Sequence, residues 1–471
     1  MELSVSSCLR FRHQATHVIA ESRMSEIATK VKEADGKIFL HYDTKLIEED
    51  LEGVRQVVDR LVVSVSSPVL ERPALLCAFP LDSGTGEAMA DAVWAILTSS
   101  ELQLQSYVAG IVADTTASNF GQYRGSIAIL QEYLGYPILV IPCQHHTHEL
   151  PAKHVTRLVS GRKTTGVGET IFLNFKAKHN EVKEHLKTDP VPFKKFDWER
   201  YRNTPVEDLA RQVIVWGLAA LKENQFERGH YRYAVQLMLT FLGEDLPNFV
   251  LLRPQDTSPA RFLAHGVFYL EIFLSLNCPL VYEMYTSRER EEIILMSMYC
   301  SCYYLPSMLQ SKYPAQITSL TTALVCNLED LKQVHPEIAA CALQVVRRHL
   351  EPVSGELAIL GIADKTLSEA EREEAGKVLW QLRDDWQPGQ TQIQPMQPPD
   401  SIVNYQSGQP RPRLASLITA RSFLLLEQQG WTKNDLNIFD TPLENWQESE
   451  KFRKLVQVIE GLQSTNDCAE R

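Results

Sequence analysis

The sequence predicts an α/β core followed by a long all-α region, and three observations carry that prediction. Five apolar, strand-like runs fall between Lys37 and Val155. Beyond about Pro151 such runs nearly vanish, and apolar residues recur at helical spacing instead. Two of the strand-like runs close on an aspartate: Lys37-Ile38-Phe39-Leu40-His41-Tyr42-Asp43 and Ile111-Val112-Ala113-Asp114, the second followed at once by Thr115-Thr116-Ala117-Ser118-Asn119-Phe120-Gly121. A β-branched run that ends in a carboxylate and small polar residues is the pattern of a buried strand delivering that carboxylate into a cleft.

The strand-like runs are Ile38–His41, Leu61–Ser66, Ala74–Phe79, Tyr107–Ala113 and Pro137–Ile141. A helix is expected over Glu87–Leu97, because the turn-rich Leu81-Asp82-Ser83-Gly84-Thr85-Gly86 supplies capping residues before it. A second helix, Gly125–Leu134, joins the fourth and fifth strands. Three strands on short links favour antiparallel pairing, and strands joined through helices favour parallel pairing. The expected product is a mixed five-stranded sheet with the first and fourth strands side by side, which is the ribonuclease H-like arrangement.

Helices are then expected at Glu207–Glu223, Tyr231–Leu242, Ala260–Leu276, Arg288–Tyr304, Ala315–Leu331, Pro336–His349, Leu350–Leu360 and Leu414–Gln429. The segment Gln387–Arg413 is rich in Pro, Gln and Ser and reads as a linker or loop. The organisation that follows is an N-terminal segment 1–36 without predicted order, a core over 37–155, a helical insertion over 156–345, returning helices of the core over 346–386, the linker over 387–413 and C-terminal helices over 414–471.

The balance of 47 Lys and Arg against 59 Asp and Glu gives a formal net charge of −12. That argues against a protein whose main business is coating nucleic acid, while leaving room for a local basic face. Nine cysteines without repeated spacing fit reduced thiols in a nuclear or cytoplasmic protein. No window approaches the uninterrupted apolar length of a membrane span, so no membrane partner is expected. Met1 to Ala20 lack the apolar core of a signal peptide and read as a frayed or truncated start.

Asp43 and Asp114 are the candidate metal ligands. Carboxylates at neighbouring strand ends can share two divalent ions, and hard oxygen donors suit Mg²⁺ or Mn²⁺. Each taken alone reads first as a turn or cap residue; the pairing raises both. Cys143-Gln144-His145-His146-Thr147-His148-Glu149 gathers a thiol and three imidazoles in seven residues. A zinc site would need partners that the sequence does not supply, so Cys143, His145 and His146 are expected to line the cleft beside the strand ends. Glu356, among Val353, Leu357, Ile359 and Leu360, is the candidate third carboxylate, with Glu271 and Glu427 as substitutes. Ser83-Gly84-Thr85-Gly86-Glu87 lacks the lysine of a phosphate-binding loop and reads as turn plus helix start.

These residues together resemble a group of transposon-derived animal proteins with a ribonuclease H-like core, akin to the hAT-superfamily transposases. The matching segments are His41-Tyr42-Asp43-Thr44-Lys45-Leu46, Leu81–Ala88, Asp114-Thr115-Thr116-Ala117-Ser118-Asn119, Cys143-Gln144-His145-His146 with Glu149-Leu150, Ala260-Arg261-Phe262, and His349–Ala358. The resemblance spans about Lys37 to Trp446. It implies a DDE-type fold with a helical insertion, Asp43 and Asp114 as strand carboxylates, Glu356 as the third, and Cys143 with His146 as the family's Cys-x-x-His element.

The sequence also departs from the group. Tyr42 stands for a tryptophan, Thr44 for a glycine and Gln144 for an arginine; Glu351-Pro352 replaces an aromatic pair, and Gly355 replaces one glutamate of a SEEL-like pair. A BED-type finger before Lys37 is missing from the sequence. Two readings follow. One is a transposase-derived protein whose ancestral reaction is metal-dependent cleavage and transfer of DNA strands, with DNA as partner. The other is a non-enzymatic scaffold that keeps the fold and self-associates or binds partners through its helical region. A ribonuclease H-like nuclease acting on another nucleic acid is a third.

Overall fold

The computed structural model describes the chain except for residues 1–21, 52–53, 163–168, 225, 227, 253–260, 311–312, 390–392, 394–395 and 467–471. A helix α1 over 22–33 leads into three consecutive strands, β1 (Ile38–Leu51), β2 (Val54–Ser66) and β3 (Ala74–Pro80). Helix α2 (Gly86–Leu97), β4 (Val108–Ala113), α3 (Ser126–Leu134) and β5 (Leu139–Pro142) complete the α/β part. The strands form one mixed sheet in the order β3-β2-β1-β4-β5. β1 pairs antiparallel with β2, and β2 with β3. β4 lies parallel to both β1 and β5.

Local chemistry explains the boundaries. Thr85 caps α2 by accepting from the Ala88 N–H at 3.3 Å. α3 stops at Gly135, whose φ of 75° lies in the left-handed region that terminates helices. β4 and β5 are buried along their whole length, as parallel strands covered on both faces must be.

Alternation along the strands builds two cores. Leu40, Tyr42, Ile111, Ala113 and Val140 face a smaller layer made by α1, α2 and α3. Phe39, Val112, Leu139 and Ile141 face the opposite way, into the large helical body. The sheet is therefore sandwiched between helical layers, the arrangement that lets central parallel strands lose contact with water.

No strand follows Pro142 among the described residues. The helical body begins with α4 (Gln144–Ser160) and continues through α5 (Thr170–Thr188), α6 (Pro205–Glu223), α7 (Gly229–Phe241) and α8 (Arg261–Ser275). Next come α9 (Ser287–Tyr299), α10 (Ile317–Leu331), α11 (Pro336–Val346), α12 (Glu369–Leu382) and α13 (Glu450–Gly461). α9 opens on a capping box in which Thr286 and Glu289 satisfy each other's backbone N–H groups, and it runs into a π-helical turn at Cys300–Tyr304.

Three sequence expectations are corrected. Asp43 does not close its strand: β1 continues eight residues further, to Leu51, as one arm of an antiparallel ribbon with β2. That arm carries exposed side chains such as Leu46, 70% exposed, so no apolar period announces it. The helix expected over Leu350–Leu360 is instead a 3₁₀ turn at Glu351–Val353, an extended Ser354, and a single α turn at Gly355–Ala358. Pro352 cannot continue a preceding helix, and Ser354 resets the chain direction. The helix expected over Leu414–Gln429 is two 3₁₀ turns, Leu414–Ser416 and Ala420–Ser422, before a short helix at Phe423–Gln428. The described part of the segment that read as a linker holds one short helix, Asp400–Val403, and its end is tied down: Ser407 and Arg411 both bind the Asp330 carboxylate, at 2.5 and 2.8 Å.

Gly110 lies where β4 is most crowded. A Cβ there would come within 2.6 Å of the Phe39 ring and 2.8 Å of the Leu139 carbonyl. Gly110→Ala is expected to destabilise the protein by about 2 kcal/mol through overpacking between β1 and β5, measured as a lowered urea midpoint with an unchanged slope.

Candidate functional site

The parallel pairing of β1 with β4 sets the site. The last matched pair is His41 opposite Val112. Two residues beyond that pair in sequence come Asp43, still within β1, and Asp114, just past the end of β4. Both aspartates are half-buried. The Asp43 carboxylate accepts from the Thr44 N–H at 2.9 Å. The Asp114 carboxylate accepts from the Thr116 hydroxyl at 3.1 Å and closely from the Asn119 amide. Asn119 in turn accepts from Ser126 at 3.1 Å, and the Ser126 hydroxyl bonds the Tyr42 hydroxyl at 2.5 Å. A chain of polar side chains thus ties the Asp114 turn to α3 and back to β1.

Asn119 also lines a cavity of about 420 Å³, together with Ile127, Gln131, Glu351, Glu356 and Arg421. Glu356 is 5% exposed. Its carboxylate is paired with the Arg421 guanidinium at 2.5 Å. Burial pushes the Glu356 carboxyl above the usual range, and Arg421 opposes that shift. Gly355 makes the pair possible. A Cβ at Gly355 would lie 2.0 Å from the Thr419 hydroxyl, so only glycine lets the Thr419–Ser422 turn approach. Ser422 then donates to the Gly355 carbonyl at 2.6 Å, which seats Arg421 beside Glu356. The Gly355–Ala358 turn also packs against β5, so the third carboxylate stands near the sheet.

The Cys143–Glu149 stretch is helix, not cleft wall. Cys143 is the residue just before α4 and is buried. His145 is buried with its ring stacked on Phe262 at 3.9 Å, inside the helical body. His146 alone of the three is half-exposed. The expectation that Cys143 and His145 line an open cleft is therefore corrected. His145, His148, Glu149, Ala152 and Val155 form the buried stripe of α4, at helical spacing. Burial first, and the neighbouring His145 second, push His148 down to about 3, so it sits in the core as a neutral ring. Counting histidine as apolar would have exposed this stripe in the sequence. Among the described residues, no three His, Cys, Asp or Glu groups gather closely enough to hold a metal ion.

The substitutes for Glu356 have other tasks. Glu427 accepts from the Gly389 N–H at 2.6 Å. Glu271 lies inside α8 and accepts from the Tyr233 hydroxyl at 2.7 Å. Burial pushes Glu271 up to about 8, despite that hydrogen bond.

The chain matches no protein-family model, and no curated protein matches it in sequence. The functional reading therefore stands on the residues and their geometry.

The raised Glu271 value has a signed consequence. Its folded value lies above the ordinary 4.5, so its stabilising contribution is complete below about pH 4.5 and is lost as pH rises through about 8. Glu271→Gln keeps the acceptor for Tyr233 and removes the titration. Urea unfolding is expected to find the variant more stable than the parent at pH 8, by about 1 kcal/mol or more, with the difference closing by pH 5.

Proposed function

We propose that this chain is a transposase-derived protein built on a ribonuclease H-like core, whose ancestral reaction is metal-dependent cleavage and transfer of DNA strands. The observation that carries the reading is the parallel pairing of β1 with β4, whose last matched pair, His41 with Val112, stands two residues before Asp43 and Asp114. Two further observations support it. The sheet order and the sense of each pairing agree with the arrangement expected for such a core. The Glu356 turn packs on β5 and shares a cavity with Asn119, the residue that holds Asp114.

Asp43 and Asp114 would offer hard oxygen donors, and these suit Mg²⁺ or Mn²⁺. Such an ion, when bound, supplies Lewis-acid activation of a water or a 3′-hydroxyl and charge stabilisation at the phosphate. In this reading Thr116 and Asn119 orient the Asp114 carboxylate, and Glu356 completes the site. DNA is the partner, and the nucleus is the compartment that would bring the two together. No helix among the described residues is long and apolar enough to cross a membrane.

One observation favours the second reading, a non-enzymatic scaffold on the same fold. Glu356 already has a cation, Arg421, at 2.5 Å. A carboxylate neutralised by a buried guanidinium is a poorer metal ligand, and its pairing requires Gly355, where the resembling group carries a glutamate.

Strand cleavage separates the two. Purified protein is expected to nick supercoiled and oligonucleotide DNA in Mn²⁺ or Mg²⁺, and Asp114→Ala is expected to lower that rate by at least about a thousandfold, since a metal-bearing carboxylate acts only through the assembled site. Equal cleavage by parent and variant would remove Asp114 from the site. A folded parent without cleavage would favour the scaffold.

A further inference from the structure

α4 is buried along one side, and its other side is open and basic. His146, Leu150, Lys153, His154, Arg157 and Leu158 recur at helical spacing opposite the buried stripe, and each is partly or fully exposed. The helix starts at the end of the sheet. The N–H of Cys143, just before it, donates at 2.8 Å to the carbonyl of Ala113, the residue that precedes Asp114. Its far end closes on Gly161, where a Cβ would lie 3.1 Å from the Arg288 guanidinium. α4 also packs along α11, which runs out into Arg347, Arg348 and His349.

The cations of this face differ in their partners. Lys153 binds the Glu149 carboxylate at 2.8 Å, and Arg347 binds the Glu329 carboxylate at 2.8 Å and the Tyr405 carbonyl at 3.1 Å. Arg157 and Arg348 are exposed, and neither is paired with a carboxylate among the described residues. Arg348 stands close enough to act on the imidazoles of both His154 and His349, and Arg157 acts on His154 as well. Burial first, and these basic neighbours second, hold His154 below the usual histidine range. Burial, then His146 and Arg348, push His349 down to about 4. At neutral pH both rings are therefore uncharged hydrogen-bonding groups set among fixed guanidinium charges. Like charges held together repel, and a chain with 59 Asp and Glu against 47 Lys and Arg has left these two arginines without an acidic partner. What the face lacks is an anion from outside. Arginine suits phosphate, because its planar donors reach two oxygens at once. The 17 residues of α4 rise about 25 Å, the axial length of roughly seven phosphates of one duplex strand.

We propose that the solvent-facing edge of α4, with Arg157 on it and Arg348 beside it, is a track that holds a nucleic-acid phosphate backbone on its way to the end of β4. The inference rests on the functional reading above for naming DNA as that polyanion; the placement of the cations stands by itself. A row of cations on a helix exterior positions a backbone and reads no sequence.

Binding of the full chain to a fluorescein-labelled DNA duplex is measured by anisotropy in EDTA, over a series of salt concentrations, so that metal chemistry plays no part. The parent is expected to bind, with log K falling linearly as log salt rises. Arg157→Ala combined with Arg348→Ala is expected to weaken binding about tenfold or more near about 0.1 M salt, and to reduce the salt slope by about 2, roughly one for each lost phosphate contact. Arg232→Ala removes an exposed arginine of α7 and is expected to change neither. Arg157 and Arg348 are exposed, so the double variant is expected to keep the parent's urea midpoint. A folded double variant with the parent's affinity and slope overturns the track and leaves DNA as the partner. A parent that leaves the duplex unbound, with or without uptake by phosphatidylserine vesicles, overturns the track and the DNA reading together. Binding lost in the double variant, while the parent cleaves no DNA in Mn²⁺, upholds the track and contradicts the strand-cleavage reading instead.

Discussion

The parallel pairing of β1 with β4 is the constraint on which the rest depends. β1 has two partners of opposite sense, β2 antiparallel and β4 parallel, and it is the strand at which the sheet changes character. A parallel neighbour requires a crossover, and α2 supplies it. That crossover leaves β4 buried on both faces, with Asp114 as the residue that follows it. A one-residue slip of β1 against β4 would turn the β1 side chains to the opposite face. The crowding at Gly110, between the Phe39 ring and the Leu139 carbonyl, leaves little room for such a slip.

Around this edge the protein buries more charge and polarity than a simple core would. Glu356 and Arg421 form an ion pair at the wall of a cavity, and Asn119, Ser126 and Tyr42 form a hydrogen-bonded chain beneath Asp114. A buried ion pair adds little net stability, because desolvation offsets much of the attraction, but removing one partner leaves an uncompensated charge. The turn that brings Arg421 to Glu356 depends on Gly355, so one backbone position links a departure from the resembling group to the electrostatics of the candidate third carboxylate. Ser464 and Asn466 add buried polar groups nearby: Ser464 accepts from the Gln144 N–H, and Asn466 donates to Cys143 and to the Tyr42 carbonyl.

Much of the sheet was legible in the sequence for a plain reason. Strands buried on one or both faces must be apolar in alternation or in runs, and the five runs correspond to the five strands. Their pairing sense followed from the lengths of the links. What was illegible lacked that signature. The outer arm of β1, beyond Asp43, is ribbon rather than core, so its side chains are free of any pattern. α4 hides its buried stripe behind His145, His148 and Glu149 and carries Pro151 inside it, so a helix read as the lining of a cleft. The turns at Glu351–Ala358 and Leu414–Ser422 are fixed by contacts between Gly355, Thr419 and Ser422, which lie more than sixty residues apart. Ser464, Thr465 and Asn466 are buried polar residues with no period, and only the fold shows where they rest. Of the candidate site, the adjacency of β1 and β4, the strands that lead to Asp43 and Asp114, was readable through strand order. The pairing of Glu356 with Arg421 was not, because nothing in the local sequence around either residue points to the other.

The central claim is that Asp43 and Asp114 form one metal-binding edge. Anomalous scattering from a crystal grown or soaked with Mn²⁺ tests it most directly. The account predicts a Mn²⁺ peak bound by both carboxylates, at about the 2.1 Å separation of a small divalent ion held by oxygen. A folded crystal in which Mn²⁺ is absent from that edge, or lies only on unrelated surface carboxylates, would contradict it.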